Sequence, residues 1–157
     1  MKDLILFSIE VFQAMLTPVI GITTAYIAWQ QYRIAREKAR HERYERRVKI
    51  FKETMLFMGC AKTKGNISDE QLHSLLRETS EAKFLFGKDV QGFITTLYEN
   101  GVILQSLNSQ LESSRGPQSG DTRSNLANER KKMLNWFETQ FEEGHGVFEP
   151  YLSLVGK

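Results

Sequence analysis

From residue 11 to residue 32 the chain runs for 22 positions without a charge. As an α-helix that stretch is roughly 33 Å long, about the thickness of a bilayer's hydrocarbon core. Tyr26, Trp29 and Tyr32 gather at its far end, where rings with a polar edge favour the headgroup layer. Polarity within the stretch is one-sided. At about 100° per residue, Glu10, Gln13, Thr17, Gly21, Thr24, Ala28 and Gln31 share an arc of roughly 80°. Leu16, Ile20, Ile22 and Ile27 point away from its centre. Small and hydroxyl-bearing residues let membrane helices approach closely, so Gln13, Thr17, Gly21, Thr24 and Ala28 form a candidate self-association face. The plainer alternative is that the threonines bond back to their own helix and face lipid. Pro18 is expected to kink the helix or loosen it near Ala14.

Beyond Tyr32 the pattern becomes that of a helical protein. No Gly or Pro falls in 22–58, so the helix is expected to continue, as a solvated stalk over 33–43 and a packed helix over 44–58 that Gly59 ends. Ser68 followed by Gln71 makes a capping box, with Ile67 stapled onto Leu72, and opens a helix over about 69–79 that buries Leu72, Leu75 and Leu76. Ser80 is placed to cap a short turn, 81–86, in which Phe84, Leu85 and Phe86 form an apolar knot before Gly87. Asp89 is placed to cap a long helix over about 90–112, with Val90, Phe93, Ile94, Leu97, Leu104, Leu107 and Leu111 inward. Residues 113–124 hold no apolar residue except Pro117 and read as a mobile loop. A last helix, capped by Asp121 or Ser124, should bury Leu126, Met133, Leu134, Trp136, Phe137 and Phe141 and break at Gly144-His145-Gly146. Val147, Phe148, Tyr151 and Leu152 then form a tail that docks back. No segment alternates as a strand would. The expected fold is all-α: a transmembrane helix continuing into a long juxtamembrane helix, followed by a small cytoplasmic bundle. The expected division is 1–32, 33–43 and 44–157, the last large enough to bury one core.

Charge sharpens this reading. Residues 33–52 carry nine Lys or Arg against Glu37, Glu42 and Glu45, whereas 1–32 carry only Lys2 against Asp3 and Glu10. Basic residues directly after an apolar span mark its cytoplasmic side, which places the N-terminus outside and the C-terminal part inside. Arg33, Arg36, Lys38, Arg40, Arg43, Arg46 and Arg47 are the candidate headgroup and topology residues, drawn to anionic lipid. Position and interleaved glutamates argue for lipid rather than nucleic acid as their partner. A cleaved signal peptide is disfavoured, because its basic region would precede the apolar stretch. A helix buried in a soluble core is the other rival, favoured by Gln13, Thr17, Pro18, Gly21, Thr23 and Thr24.

The chain resembles a family of small, uncharacterised bacterial proteins with one N-terminal membrane helix. The residues that carry the resemblance are Tyr26-Ile27-Ala28-Trp29-Gln30-Gln31-Tyr32-Arg33, Tyr44-Glu45-Arg46-Arg47-Val48-Lys49-Ile50-Phe51, Phe84-Leu85-Phe86-Gly87 with Asp89-Val90, and Phe148 with Pro150-Tyr151-Leu152. The resemblance implies a bacterial inner-membrane protein and no mechanism.

Catalytic chemistry needs a convergent nucleophile, base and charge stabiliser. His41, His73 and His145 stand on separate segments without ligand spacing, and no phosphate loop, His-Glu-x-x-His or Cys-x-x-Cys occurs. His145 near Glu142 and Glu143 is the most site-like group, and a helix C-terminus with a well-placed imidazole explains it more simply. A lone cysteine, Cys60, excludes an internal disulfide and fits a reducing compartment. The reading is thus a non-enzymatic, membrane-anchored interaction module without cofactor or metal, self-associating through its span and binding a protein partner. The alternative is a small membrane effector that assembles and perturbs the bilayer.

Overall fold

A computed structural model describes the backbone of residues 2–113 and 120–153, and the side chains of 18–113 and 121–153. Among the described residues five helices follow one another: α1 (Lys2–Lys64), α2 (Asp69–Glu78), α3 (Ala82–Leu85), α4 (Lys88–Ser113) and α5 (Gly120–Leu152). The described residues contain no strand, so the fold is all-α. The chain divides into two units, Met1–Glu42 and Arg43–Lys157. Of the 113–124 segment, 114–119 lies outside the described residues, while 113 and 120–124 are helical.

The second unit is a bundle built on two adjoining apolar clusters. Phe57, Met58, Ile67, Leu97, Leu104 and Phe137 lie at the centre of the first. Ile50, Ala82, Phe86, Val90, Ile94 and Phe148 make up the second. Phe148 is fully buried and takes Phe51 and Phe86 edge-on at 5.4 Å each, and Phe93 at 6.2 Å. Such edge-to-face pairs contribute about 0.5–1.5 kcal/mol apiece beyond the area they bury.

The start of α2 follows from its sequence. Gln71 N–H donates to the Ser68 hydroxyl at 3.3 Å, and Ser68 N–H donates to Gln71 Oε1 at 2.9 Å, a complete capping box. Ile67 and Leu72 are both buried in the first cluster.

Several boundaries depart from expectation, for packing reasons. Gly59 does not end α1, which runs on to Lys64 and stops at Gly65, the one described residue in the left-handed region, at φ 62°. Nor do Gly144 and Gly146 break α5, which continues to Leu152. Gly144 lies where a side chain would stand 3.1 Å from Met58 Cε and 3.4 Å from Phe93 Cζ. The glycine is therefore a point of close helix approach. Gly101 in α4 has the same role more sharply, since an added Cβ would stand 2.8 Å from Phe57 Cζ.

Ser80 does not cap the short turn: Glu81 holds the N-cap position of α3 without a side-chain bond. Asp89 lies inside the first turn of α4. The apolar knot is also corrected. Phe86, the extended residue that ends α3, turns into the core and Leu85 is half-buried, but Phe84 is 78% exposed, because successive residues of one helical turn point to different sides. Leu76 is exposed as well, at 45%.

Candidate functional site

In the first unit every described side chain from residue 18 to residue 42 is exposed. These include large apolar groups that a soluble helix would cover: Val19, Ile20, Ile22, Tyr26, Ile27, Trp29, Tyr32 and Ile34, at 47–72%. At helical spacing they occupy about two thirds of the circumference, leaving Gly21, Thr24, Ala28 and Gln31 on the remaining arc. Gly21 faces open space, with nothing within 4 Å of an added Cβ. Thr23 and Thr24 donate to Val19 O at 2.8 Å and Ile20 O at 2.7 Å, so their hydroxyl protons are satisfied within the helix. Gln13 and Thr17 lie on α1, but their side chains are outside the described residues.

No helix among the described residues is long and apolar enough to cross a membrane. The expected span, 11–32, has its first seven positions outside the described side chains.

The basic residues divide into two sets. Arg33, Arg36, Lys38 and Arg40 are exposed on the first unit; Arg33 lies over the Trp29 ring at 5.3 Å, and Lys38 reaches Glu42 at 4.0 Å. Arg43, Arg46 and Arg47 belong to the bundle. Arg43 is exposed, and Arg46 pairs with Glu81 at 3.2 Å. Arg47 is built into the protein. Its Nε donates to Leu85 O at 3.0 Å and its Nη1 to Tyr151 O at 3.3 Å, closing the C-terminal ends of α3 and α5 together. A cation there also meets the negative ends of both helix dipoles. The guanidinium stands 5.9 Å from the rings of Phe86 and Tyr151.

A second polar group adjoins it. Tyr151 donates to Asp89 Oδ1 at 2.8 Å and accepts from Gly87 N–H at 3.2 Å. The bond to Tyr151, helped by the Val90 N–H, holds the Asp89 carboxyl below its ordinary range, and the same bond raises the Tyr151 hydroxyl. Nearby, Lys49 meets Glu78 at 2.7 Å, which raises the lysine and, with Arg77, lowers the glutamate. Arg46, Lys49, Ile50, Arg77, Glu78, Ser80 and Glu81 line an open cleft of about 290 Å³.

At the opposite end of α1, Arg130 donates to Gly65 O at 2.9 Å and to Asn108 Oδ1 at 2.6 Å. Asn108 in turn donates to Gly65 O at 3.1 Å. A second arginine thus closes a third helix C-terminus.

The histidines are not brought together. His145 lies within α5, not at its end, and stands edge-on to Phe51 at 5.2 Å. That contact replaces the expected dipole role. Among the described residues no group of three or more His, Cys, Asp or Glu is placed to hold a metal ion. Sequence reasoning missed the Arg47 and Asp89–Tyr151 contacts, which join residues 38 to 104 positions apart and leave no local signature. Comparison with protein families, with curated proteins and with solved structures gives no match.

Proposed function

We propose that this chain is a non-enzymatic, single-span protein of a bacterial inner membrane, whose bundle binds another protein on the cytoplasmic side. One observation carries the anchor: the large apolar residues between Val19 and Ile34 are exposed around most of the helix, and a bilayer is a solvent that covers them all. Arg33, Arg36, Lys38 and Arg40 follow at once, as in a cytoplasmic boundary held by anionic headgroups. The order of the charges supports an outside N-terminus. Copies associate through the arc of Gln13, Thr17, Gly21, Thr24 and Ala28, where Gly21 leaves room for a neighbouring backbone.

The anchor is tested by membrane fractionation with alkaline extraction, and the orientation by a C-terminal phosphatase fusion. An integral protein with a silent phosphatase is expected; extraction into the soluble fraction removes the anchor, and an active phosphatase reverses the orientation. For the span contact, Gly21→Ile should reduce in-membrane crosslinking more than Gln13→Leu, because interhelical hydrogen bonds in a bilayer contribute only about 0.6–2 kcal/mol each. Equal crosslinking in wild type and Gly21→Ile removes the contact. A membrane-potential dye separates the anchor from an effector that perturbs the bilayer, since only the latter depolarises cells.

A further inference from the structure

One face of the first unit changes character along its length. At about 100° per residue, Ile22, Tyr26, Trp29, Arg33, Arg36 and Arg40 share an arc of roughly 80° on α1. The first three are 55–72% exposed, and all three arginines are exposed. Tyr26 and Trp29 stand 6.3 Å apart, and the Arg33 guanidinium lies 5.3 Å from the Trp29 ring, so apolar groups lead without a break into cationic ones. Gly21, Thr24, Ala28 and Gln31 lie on the other side of the helix, so copies that associate there leave this stripe uncovered.

Arginine and lysine are sorted to different faces here. Lys38 lies on the opposite side and reaches Glu42 at 4.0 Å. Glu37 stands just outside the stripe, about 40° from Arg33, and forms no ion pair among the described residues. Three arginines against that one glutamate leave two positive charges on the stripe. Arg40 already has a contact within the chain and adds only its charge, whereas Arg33 and Arg36 have no carboxylate partner among the described residues. These two rise about 4.5 Å from one another along the axis. Two guanidinium forks at that spacing suit a ligand with several free oxygens and more than one negative charge. A phosphodiester headgroup carries a single charge, whereas a phosphate monoester carries about 1.5–2 near neutral pH and presents three free oxygens.

We propose that this stripe seats one lipid of the cytoplasmic leaflet whose headgroup is a phosphate monoester, with the phosphate between Arg33 and Arg36 and the acyl chains along Trp29, Tyr26 and Ile22. This rests on the anchor reading and names a lipid class for its basic boundary. The stripe has the order of such a lipid, apolar over its first two turns and cationic beyond them. Point charges attract any anionic surface, but directed guanidinium pairs discriminate by the number of oxygens they can reach.

The test uses the full chain in phosphatidylcholine vesicles that also hold phosphatidic acid or phosphatidylglycerol, matched for total headgroup charge, with bromine on the acyl chains of the anionic lipid alone. Trp136→Phe leaves Trp29 as the only indole, and its quenching reads which lipid lies against the stripe. Phosphatidic acid should be favoured roughly fivefold per molecule, the equivalent of about 1 kcal/mol for the additional charge met by an arginine. Arg36→Gln should bring the ratio close to one, and Arg36→Lys should restore less than half of the preference. Lys38→Gln should weaken contact with both lipids and leave their ratio in place. Circular dichroism checks that each variant remains helical. Equal quenching by the two lipids overturns the lipid seat and leaves the anchor standing, whereas quenching by neither overturns both. A preference that falls as far with Lys38→Gln as with Arg36→Gln reduces the stripe to diffuse charge and overturns the seat. Loss of the preference on adding glycerol 3-phosphate to the solution assigns the arginines to a soluble ester and overturns it as well.

Discussion

Replacing Arg47 by Ala should unfold the bundle far more readily than any change to the exposed basic residues before it. The guanidinium makes two charge-assisted bonds to helix-end carbonyls and lies against two rings. Hydrogen bonds to charged groups contribute about 1.5–3 kcal/mol each, and a cation–π contact about 0.5–1 kcal/mol at an exposed site. Arg47 is half-buried, so water takes over part of what is lost. A net cost of about 2–4 kcal/mol is expected, a large share of a domain stability of about 5–15 kcal/mol. Arg47→Lys keeps the charge but cannot direct two donors to two separate carbonyls, so it should recover less than half. The measurement is thermal unfolding of the full chain in detergent, followed by far-ultraviolet circular dichroism, with Arg36→Ala as reference. A drop on the order of 10 °C is expected for Arg47→Ala and almost none for Arg36→Ala. Equal melting of the two variants would refute the double helix-end role and return Arg47 to the headgroup set.

Phe84→Ala should leave the melting temperature nearly unchanged, whereas Phe137→Ala and Phe148→Ala should each cost about 3–5 kcal/mol in the same assay. Gly101→Ala should destabilise by about 1–3 kcal/mol, because the new methyl meets Phe57 and Leu72; Gly146→Ala, in open space on the same kind of helix, should stabilise by up to about 1 kcal/mol. The Asp89–Tyr151 bond makes stability depend on pH at both ends. Asp89 is depressed in the fold, so its contribution is present above the ordinary carboxylate range and is lost as pH falls through the lowered value. Tyr151 is raised, so its contribution is present below the ordinary phenol range and is lost as pH rises through the raised value. Tyr151→Phe should therefore flatten both limbs of a plot of stability against pH, and unchanged limbs would show that the bond does not couple to folding.

The local signals were legible in the sequence. Ser68 and Gln71 form the capping box that their spacing announces, and the inward positions of α4 from Val90 to Leu107 follow helical period. Glycine was the misleading residue. A glycine in a helix reads as a stop because it lacks propensity, yet Gly59, Gly144 and Gly146 are helical, and at Gly144 neighbouring side chains crowd the space a Cβ would need. That need arises only once helices pack, so no single segment reveals it. Phe84 shows the reverse error: an apolar run predicts burial on average, but a four-residue helix cannot bury every member. The candidate site divides the same way. The uncharged stretch and its basic neighbours are visible in order along the chain, whereas Arg47 could be separated from its neighbours only through Tyr151, 104 residues away.

The pairing of the earliest bundle helix with the latest one also bears on synthesis. Ile50 and Phe51 belong to the cluster around Phe148, and Arg47 waits for the carbonyl of Tyr151. At translation rates of about 5–20 residues per second, the hundred or so residues between them take roughly 5–20 seconds to emerge. Throughout that interval the apolar face of α1 is covered only by α2, α3 and α4, and a chain cut short before Phe148 never completes the second cluster. Such a fragment leaves the Ile50–Phe51 end of that face open to chaperones and proteases, so completion of the last turns of α5 bears on how long the protein persists.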